Sequence, residues 1–347
     1  MRAVVVHGAG DLRVDERPDP VPGDGEVLIA MEWGGVCGSD LSYWRHGGSG
    51  TAVLRHPLVL GHEVAGRIAR IGTGVTGHDV GERVTVHPAE LVGDGCLPDR
   101  IAGRTNLYPR IRYFGSAAFD PHTDGGFSEL RVVRAAQVRP LPDGVSTEHG
   151  ALAEPLAVAL HAVRRAGDVR GRDVLVNGAG PIGSLVVAAA KYCGAASVVA
   201  ADIADSSLAV AMALGADELR NLAAGDTLPE DAELVFEASG APAALGGVLR
   251  ATARGGTVVQ VGNLPGTAAS AVLGDLVTRE ITWVGAYRFV EEISDALAAM
   301  HDGLDVSPLI THRFGLDRAA EALAVAADPT SGSSKVMLRL HAGEHSR

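Results

Sequence analysis

The sequence predicts an α/β protein in two parts: a first part of short β-strands, and a second part built as a doubly wound parallel sheet with helices on both faces. Three observations predict this. Residues 1–145 contain short apolar segments separated by turns rich in Gly, Pro and Asp. From residue 146 onward, apolar segments alternate with helical periodicity. The chain of 347 residues is long enough for two domains.

Composition and charge exclude several classes of protein. The sequence has 30 Lys and Arg against 42 Asp and Glu, a formal net charge of −12, which argues against a general affinity for nucleic acid or anionic membranes. No apolar run is as long as a membrane span, and the N-terminal residues lack a secretory signal pattern. The three cysteines, Cys37, Cys96 and Cys193, are too few for a disulfide framework. The sequence therefore predicts a cytoplasmic protein.

The spacing of the apolar residues predicts the individual elements. The first part reads as a small β barrel or sandwich, followed by a lobe of little periodicity over 94–127. A helix is predicted over 146–166, with Ser146 or Thr147 as its N-cap. The alternating segments after it are strands at 173–177, 197–201, 234–237, 257–261 and 281–285, and helices at 181–193 and 206–214. Two more helices and a final strand at 335–340 complete the chain.

A Gly-rich motif, Gly178-Ala-Gly-Pro-Ile-Gly183, follows one of these strands and opens a helix. G-x-G-x-x-G in this context is typical of a Rossmann dinucleotide-binding domain. Gly178 allows the tight turn, Gly180 lets the backbone approach a pyrophosphate, and Gly183 lets helix and strand pack closely. The helix N-terminus, at Pro181 and Ile182, offers free N–H groups and a partial positive charge to the pyrophosphate.

Asp202 ends the next predicted strand, at the position where an acidic residue holds both hydroxyls of the adenosine ribose. Ile203 and Ala204 follow it, so no adjacent Arg is present to bind a 2′-phosphate, and NAD is favoured over NADP. The alternative is that Asp202 only caps the helix that begins near Ser206. Gly262, after the strand at 257–261, is a further predicted cofactor contact.

Possible metal ligands lie in the first part, where Cys37-Gly-Ser-Asp40 precedes Gly61-His-Glu63. Thiolate, imidazole and carboxylate together suit Zn²⁺, and a catalytic zinc site uses three protein ligands and leaves one position open. A single buried Cys is often only a small apolar residue, and a single His is often only hydrogen-bonded. From spacing alone, both interpretations stay open.

The segment Gly61-His-Glu-Val-Ala-Gly66, with Gly72 and Val75 downstream, resembles the zinc signature of medium-chain alcohol and polyol dehydrogenases. The resemblance extends over the whole chain, in the family's order, through Cys37-Gly-Ser-Asp40, Asp79-Val-Gly-Glu-Arg83, Ala153-Glu-Pro155 and the Gly-rich motif. It implies a GroES-like β-barrel catalytic domain over 1–145, completed by 286–347, and a Rossmann NAD-binding domain over 146–285. Glu154 stands where alcohol dehydrogenases have a ligand Cys. In this respect the sequence resembles the sorbitol/idonate dehydrogenase branch of the family.

This resemblance implies one catalytic Zn²⁺ per chain. Its ligands are Cys37 and His62 plus one carboxylate, from Glu63 or Glu154, and the sequence leaves that choice open. Many relatives carry four closely spaced cysteines that bind a second, structural zinc. The corresponding segment here, 87–112, has only Cys96, so we expect no structural zinc.

The resemblance also implies roles for the neighbouring residues. Ser39 begins the relay that carries the alcohol proton away, Asp40 orients His62 from behind, and Glu154 contributes to catalysis near the metal. Tyr43 matches a substrate-pocket tyrosine of polyol dehydrogenases. Ser39 and Tyr43 also have simpler interpretations, as a turn residue and a core aromatic.

Two segments, Arg112-Tyr-Phe-Gly-Ser-Ala117 and Pro121-His-Thr-Asp-Gly-Gly-Phe127, resemble L-idonate 5-dehydrogenases, which interconvert L-idonate and 5-keto-D-gluconate. Such a substrate carries a carboxylate, which requires a local cation. Arg288 lies where polyol dehydrogenases place a substrate-facing Arg, and Phe114 is a second candidate substrate contact.

The sequence thus predicts a zinc- and NAD-dependent dehydrogenase of a sugar acid, acting as a homodimer or homotetramer on a small molecule. One alternative is a dehydrogenase of neutral polyols such as sorbitol or xylitol. Another, of a different class, is a nucleotide-binding protein of the same fold without dehydrogenase activity. Retention of Cys37, His62, Glu63, Glu154 and Ser39 together argues against it.

Overall fold

The computed structural model of the chain describes residues 1–341, which divide into two compact units. Unit 1 comprises Met1–Glu154 and the chain from Ile310 onward, and unit 2 comprises Pro155–Leu309. Both division points lie downstream of the expected boundaries at 145/146 and 285/286. Within residues 1–341, no helix is both long and apolar enough to cross a bilayer.

Short strands dominate the chain up to the first division point, as the turn-rich sequence predicts. They are β1 (Arg2–Gly8), β2 (Asp11–Glu16), β3 (Glu26–Gly35), β4 (Gly48–Ser49), β5 (Ala52–Val53), β6 (Leu58–Val59), β7 (Glu63–Ile71), β8 (Arg83–Val86), β9 (Ala89–Leu91), β10 (Ile111–Tyr113), β11 (Leu130–Arg134) and β12 (Val138–Pro140). The helices are α1 (Gly38–His46) and α2 (Thr147–Ala151), the latter capped by the Ser146 hydroxyl, which accepts a hydrogen bond from the backbone N–H of His149.

Strands and helices alternate in the next part of the chain. They are α3 (Ala153–Arg165), β13 (Asp173–Asn177), α4 (Pro181–Tyr192), β14 (Ser197–Asp202), α5 (Asp205–Ala213), β15 (Glu218–Asn221), β16 (Ala232–Glu237), α6 (Leu245–Ala251), β17 (Thr252–Gln260), α7 (Gly274–Thr278), β18 (Thr282–Gly285) and α8 (Glu292–His301). The prediction of a single helix over 146–166 is wrong in one respect. It is divided at Leu152, whose N–H bonds to the carbonyls of His149 and Gly150 and so ends α2.

The returning chain adds β19 (Ile310–Gly315), α9 (Ala319–Ala327) and β20 (Lys335–Arg339) to unit 1. The largest sheet of this unit has the order β12-β8-β7-β3-β20-β19, and β11 also pairs with β3. Its core is apolar and includes Ile29, Met31, Leu60 and Phe127, all fully buried. Strand β3 therefore lies between β7 and β20, and this arrangement positions the polar groups described below.

Unit 2 is built on a parallel sheet with the strand order β15-β14-β13-β16-β17-β18. From β13 the chain first builds outward through β14 and β15, then returns to add β16 on the other side. The carboxyl ends of β13 and β16 therefore flank the point where strand order reverses, which is where ligands bind in such sheets. The sequence did not predict β15, because its Glu-Leu-Arg-Asn residues form a short polar edge strand.

Candidate metal and dinucleotide sites

Three side chains of unit 1 form a group with the geometry of a metal site. Within residues 1–341, one ligand atom from each of Cys37, His62 and Glu63 lies within 4.8 Å of the others. The pairing of β3 with β7 brings these residues together. Glu63 begins β7 and pairs with Gly35, the last residue of β3, and the chain continues from Gly35 directly to Cys37 at the start of α1.

The group is mostly buried and favours positive charge. His62 and Glu63 are buried and Cys37 is half-buried. Burial by itself lowers the pKa of His62, but the adjacent Cys37 sulfur, which accepts a hydrogen bond from the ring, and the charges of Asp40 and Glu154 raise that pKa to about 10. A sulfur, an imidazole and a carboxylate in such anionic surroundings match the donors and the charge that Zn²⁺ requires.

Asp40 holds together the two segments that carry the ligands. Its buried carboxylate accepts hydrogen bonds from the backbone N–H of Cys37, at 2.9 Å, and from that of Gly61, at 3.1 Å. These bonds join the start of α1 to the residue that precedes His62. The expected orienting effect on His62 stays a prediction, and these contacts would exert it through the backbone.

Lys335 contacts the group and was missed from the sequence. It begins β20, on the opposite flank of β3 from Glu63, and both side chains are nearly inaccessible, 3% and 1% exposed. Its ammonium group donates to both carboxylate oxygens of Glu63 at 2.8 Å and to the carbonyl of Val36 at 3.2 Å. In the sequence, the only indication of this contact was a Lys at the first position of a predicted buried strand.

Glu154 lies near this group with a different partner. Its buried carboxylate accepts a hydrogen bond of 2.7 Å from the hydroxyl of Tyr113, to which the sequence assigned no role. Burial raises the pKa of Glu154, and His62 opposes that rise. Glu154 is not part of the group within 4.8 Å that Cys37, His62 and Glu63 form.

The Gly-rich motif forms the strand–turn–helix that dinucleotide binding requires. Gly178 follows β13 with φ +91°, a conformation that favours Gly. A Cβ on Gly183 would collide with the carbonyl oxygen of Gly178, so this Gly allows the close packing of helix and turn. Pro181 and Ile182 begin α4 after the N-cap Gly180.

Asp202 ends β14 beside this turn. Its carboxylate accepts hydrogen bonds from the backbone N–H groups of Ala179, at 2.6 Å, of Ile203, at 2.7 Å, and of Ala204, at 3.0 Å. The N-cap of α5 is Ala204, so Asp202 does not occupy the capping position that the alternative interpretation required.

Comparisons with known proteins agree with this geometry. The family described as alcohol dehydrogenase GroES-like domain matches residues 23–143, and the family described as zinc-binding dehydrogenase matches residues 181–302. The chain belongs to the zinc-binding dehydrogenases. The predicted combination of a GroES-like domain and a Rossmann-type domain is thereby confirmed.

Relatives of this zinc-binding dehydrogenase include dehydrogenases named for sorbitol and for L-idonate. Sorbitol dehydrogenase of Gallus gallus is 39% identical over 92% of this chain and 91% of its own. L-idonate 5-dehydrogenase (NAD(P)(+)) of Escherichia coli is 35% identical over 97% of this chain and 98% of its own. The crystal structure of L-idonate 5-dehydrogenase from Escherichia coli superposes with a TM-score of 0.90 at 34% identity, over 97% of each chain.

Of the other expected residues, Tyr43 and Phe114 lie in the core of unit 1. The Tyr43 hydroxyl accepts a hydrogen bond of 3.0 Å from the backbone N–H of Ala117, and Phe114 packs beneath the guanidinium of Arg131. Ser39 lies half-buried on α1. The catalytic role of Ser39 and the substrate roles of Tyr43 and Phe114 stay predictions, and the contacts of the two aromatic residues also account for them as packing residues.

Arg288 lies in the loop before α8 of this dehydrogenase, in a strained conformation. Its φ is +50°, and its guanidinium lies 5.0 Å from the ring centre of Tyr287. A left-handed conformation costs a non-Gly residue roughly 1–3 kcal/mol and persists only when the surroundings enforce it. Glu292 supplies such a constraint, since its buried carboxylate accepts hydrogen bonds from the backbone of Val290, at 2.6 Å, and from His161, at 2.9 Å.

The first prediction concerns Lys335. In Lys335→Met, the buried Glu63 carboxylate loses its only cationic partner within hydrogen-bond distance among the described residues, so the metal-free protein should lose about 3–5 kcal/mol of stability. Zn²⁺ should then raise the melting temperature of the variant by more than it raises that of the wild type, because the anionic group has lost a competing cation. Thermal unfolding with Zn²⁺ and with a chelator measures both effects.

The control is Lys191→Met, which removes a surface ion pair with Asp217 at 3.0 Å and should cost at most about 1 kcal/mol. An equal or smaller zinc-induced rise in Lys335→Met than in the wild type would contradict the prediction.

The second prediction concerns Glu292. Burial works to raise the pKa of Glu292, but the hydrogen bonds from His161 and the backbone of Val290 outweigh it and lower that pKa to about 2. Because the pKa is depressed in the folded state, the stabilisation is complete above the unfolded value of 4.5 and is lost as pH falls towards 2. Glu292→Gln should therefore cost about 2–3 kcal/mol at neutral pH and progressively less below pH 4.5.

Melting temperatures from pH 7 to pH 3 test this, with Glu230→Gln, an exposed carboxylate of the same unit, as control. A difference between wild type and Glu292→Gln that stays constant across this range would show that the ionised carboxylate is not the stabilising group.

Proposed function

We propose that this zinc-binding dehydrogenase transfers a hydride between a secondary alcohol of a sugar acid and NAD, with L-idonate and 5-keto-D-gluconate as substrate and product. The observation that carries the proposal is the presence, in one chain, of the Cys37–His62–Glu63 group and of the Gly-rich turn with Asp202 beside it. The first supplies ligands for a catalytic metal, and the second supplies the backbone and carboxylate that a dinucleotide requires.

Cys37, His62 and Glu63 would hold the zinc, with Glu154 as a neighbouring carboxylate. A zinc ion bound there would act as a Lewis acid towards the oxygen of the alcohol. One zinc per chain is proposed, because the lobe at 87–112 contains only Cys96 and the chain has three cysteines in all. The chain's own residues keep the ligands in place: Asp40 ties their backbone segments together and Lys335 fixes Glu63.

Proton removal falls to groups of the protein. We assign its first step to the hydroxyl of Ser39, two residues from Cys37, because a hydroxyl can accept one proton while it donates another. The Tyr113–Glu154 pair offers a second route, since the Glu154 carboxylate is linked to the Tyr113 hydroxyl at 2.7 Å.

NAD is the proposed cofactor because of the Asp202 carboxylate. Bound there, NAD would supply the acceptor for the hydride. The negative charge of Asp202 would repel a 2′-phosphate, and its oxygens can accept hydrogen bonds from two ribose hydroxyls.

The third prediction follows from this assignment. Asp202→Ala should raise KM for NAD about tenfold or more and lower KM for NADP, because it removes ribose hydrogen bonds and the repulsion of the phosphate together. Steady-state rates with both cofactors measure the change, and Asp173→Asn, at the other end of β13, should leave both KM values unchanged. A parallel change in the two KM values would refute the assignment.

Two substrate classes remain to be separated. The segments at 112–117 and 121–127 favour a sugar acid, and the carboxylate of such a substrate requires a cation, which we assign to Arg288. The identity of 39% to a sorbitol dehydrogenase favours a neutral polyol as the second candidate.

The fourth prediction tests the substrate directly. With zinc-loaded enzyme and NAD, we expect L-idonate to be oxidised faster than D-gluconate, sorbitol and xylitol at equal concentration. Arg288→Ala should raise KM for L-idonate about tenfold or more and KM for sorbitol much less, since the substrate carboxylate would lose its ion pair. The control is Arg250→Ala, at an exposed position on α6.

A preference for sorbitol or xylitol would establish the neutral-polyol alternative. Equal losses for both substrates in Arg288→Ala would mean that Arg288 does not bind the carboxylate.

A further inference from the structure

A row of three polar side chains crosses the carboxyl edge of the parallel sheet beneath the dinucleotide turn. Asn177, Glu237 and Gln260 end β13, β16 and β17, and the strand register places them side by side. Glu237 is in the middle and is completely buried, while Asn177 is 3% exposed. Neither the motifs nor the metal group accounts for a carboxylate in this place.

Among the described residues, every hydrogen bond that this carboxylate accepts comes from an uncharged donor. One oxygen accepts from the side-chain amide of Asn177, at 3.2 Å, and from the backbone N–H, at 3.0 Å, and hydroxyl of Ser239. The other accepts from the side-chain amide of Gln260, at 2.6 Å, and from the backbone N–H of Gly240, at 3.3 Å. Burial of a carboxylate among neutral donors is costly, so its presence calls for an explanation.

These donors lie in, or just before, three turns that pack directly on one another. A Cβ on Gly178 would collide with the backbone of Ser239, and a Cβ on Gly262 would collide with the backbone of Gly240. The Gln260 amide also donates to the carbonyl of Gly262, at 2.8 Å. The turns at 178–180, 238–240 and 262–263 therefore meet without intervening side chains, and Glu237 accepts hydrogen bonds from the 238–240 turn and from Asn177 and Gln260, which lead into the other two.

We propose that Glu237 is a positioning residue for dinucleotide binding. Its carboxylate holds the three turns in the mutual arrangement that the cofactor requires, because an acceptor-only group can satisfy at once the donors of the 238–240 turn and of the residues that end β13 and β17. An amide in the same place would direct an N–H at one of those donors and leave the donor unpaired. This inference rests on the proposed binding of NAD and adds to it the group that shapes the site.

A direct electrostatic role predicts the opposite effect. A negative charge below a pyrophosphate site opposes binding of the anion, so removal of the charge alone would tighten binding. Positioning predicts weaker binding, which makes the sign of the change decisive.

The test is Glu237→Gln, in zinc-loaded full-length protein at a temperature well below its melting point. By calorimetric titration, we expect Kd for NADH to rise about tenfold, the effect of one lost hydrogen bond of the network. Bound zinc, measured by elemental analysis, should stay at the wild-type level. The control is Glu233→Gln, the same substitution at an exposed position of β16, which should leave Kd unchanged.

A second variant, Gln260→Leu, removes one donor and keeps the carboxylate, and it serves if Glu237→Gln does not fold. It should raise Kd for NADH about threefold or more. An unchanged or lower Kd in whichever variants fold, with only a lower melting temperature, would overturn the inference. If the wild type binds neither NADH nor NADPH, the proposed function itself fails, and the two failures are thereby distinguished.

Discussion

The Cys37–His62–Glu63 group depends on the strand register at the end of β3. Gly35, its last residue, is paired with Glu63, the first residue of β7, and with Met337 of β20, two residues after Lys335. The chain then runs on to Cys37, so three polar groups from distant parts of the sequence meet at one strand end. A slip of one residue in either pairing would turn these side chains to the opposite face. The absence of a side chain at Gly35 is also necessary, because a Cβ there would collide with the Glu63 carboxylate.

Buried carboxylates recur in both units, and each has a different kind of partner. Glu63 has the Lys335 ammonium group, Glu292 has His161 and the Arg164 guanidinium at 3.2 Å, and Glu237 has only neutral donors within residues 1–341. A buried charge is destabilising unless polar partners satisfy it, so these acids specify which segments must lie together. In unit 2 the contacts of Glu237 hold the turns that the cofactor needs, and those of Glu292 hold the loop that carries Arg288. Stability and site geometry thus depend on the same contacts.

Local sequence was sufficient to predict the Gly-rich turn and most strands of the parallel sheet, whereas the set of metal ligands followed only from the family resemblance. Gly178 and Gly183 are recognisable because backbone geometry limits those positions to one residue type, and a Cys and a His-Glu pair are recognisable by donor chemistry. The partner of Glu63 could not be predicted in this way, because Lys335 lies 272 residues away and contacts it only through the order of the strands. The same holds for Tyr113 and Glu154. Strand β15 was missed for a different reason. It is a polar segment at the edge of the sheet, and it is extended because it pairs with its neighbour, not because of an apolar pattern.

The sequence left Glu63 and Glu154 as alternative third ligands. Their contacts show how firmly each carboxylate is held. Glu63 is held at both oxygens by a buried cation, and breaking such a pair costs about 3–5 kcal/mol, so its position is fixed. Glu154 is held at one oxygen by a neutral hydroxyl, and a hydrogen bond of that kind to a carboxylate contributes about 1.5–3 kcal/mol. A carboxylate that exchanges partners during a reaction must leave its resting partner at low cost. On these energies Glu154 can leave its resting partner at lower cost than Glu63, whose ion pair fixes its place in the Cys37–His62–Glu63 group.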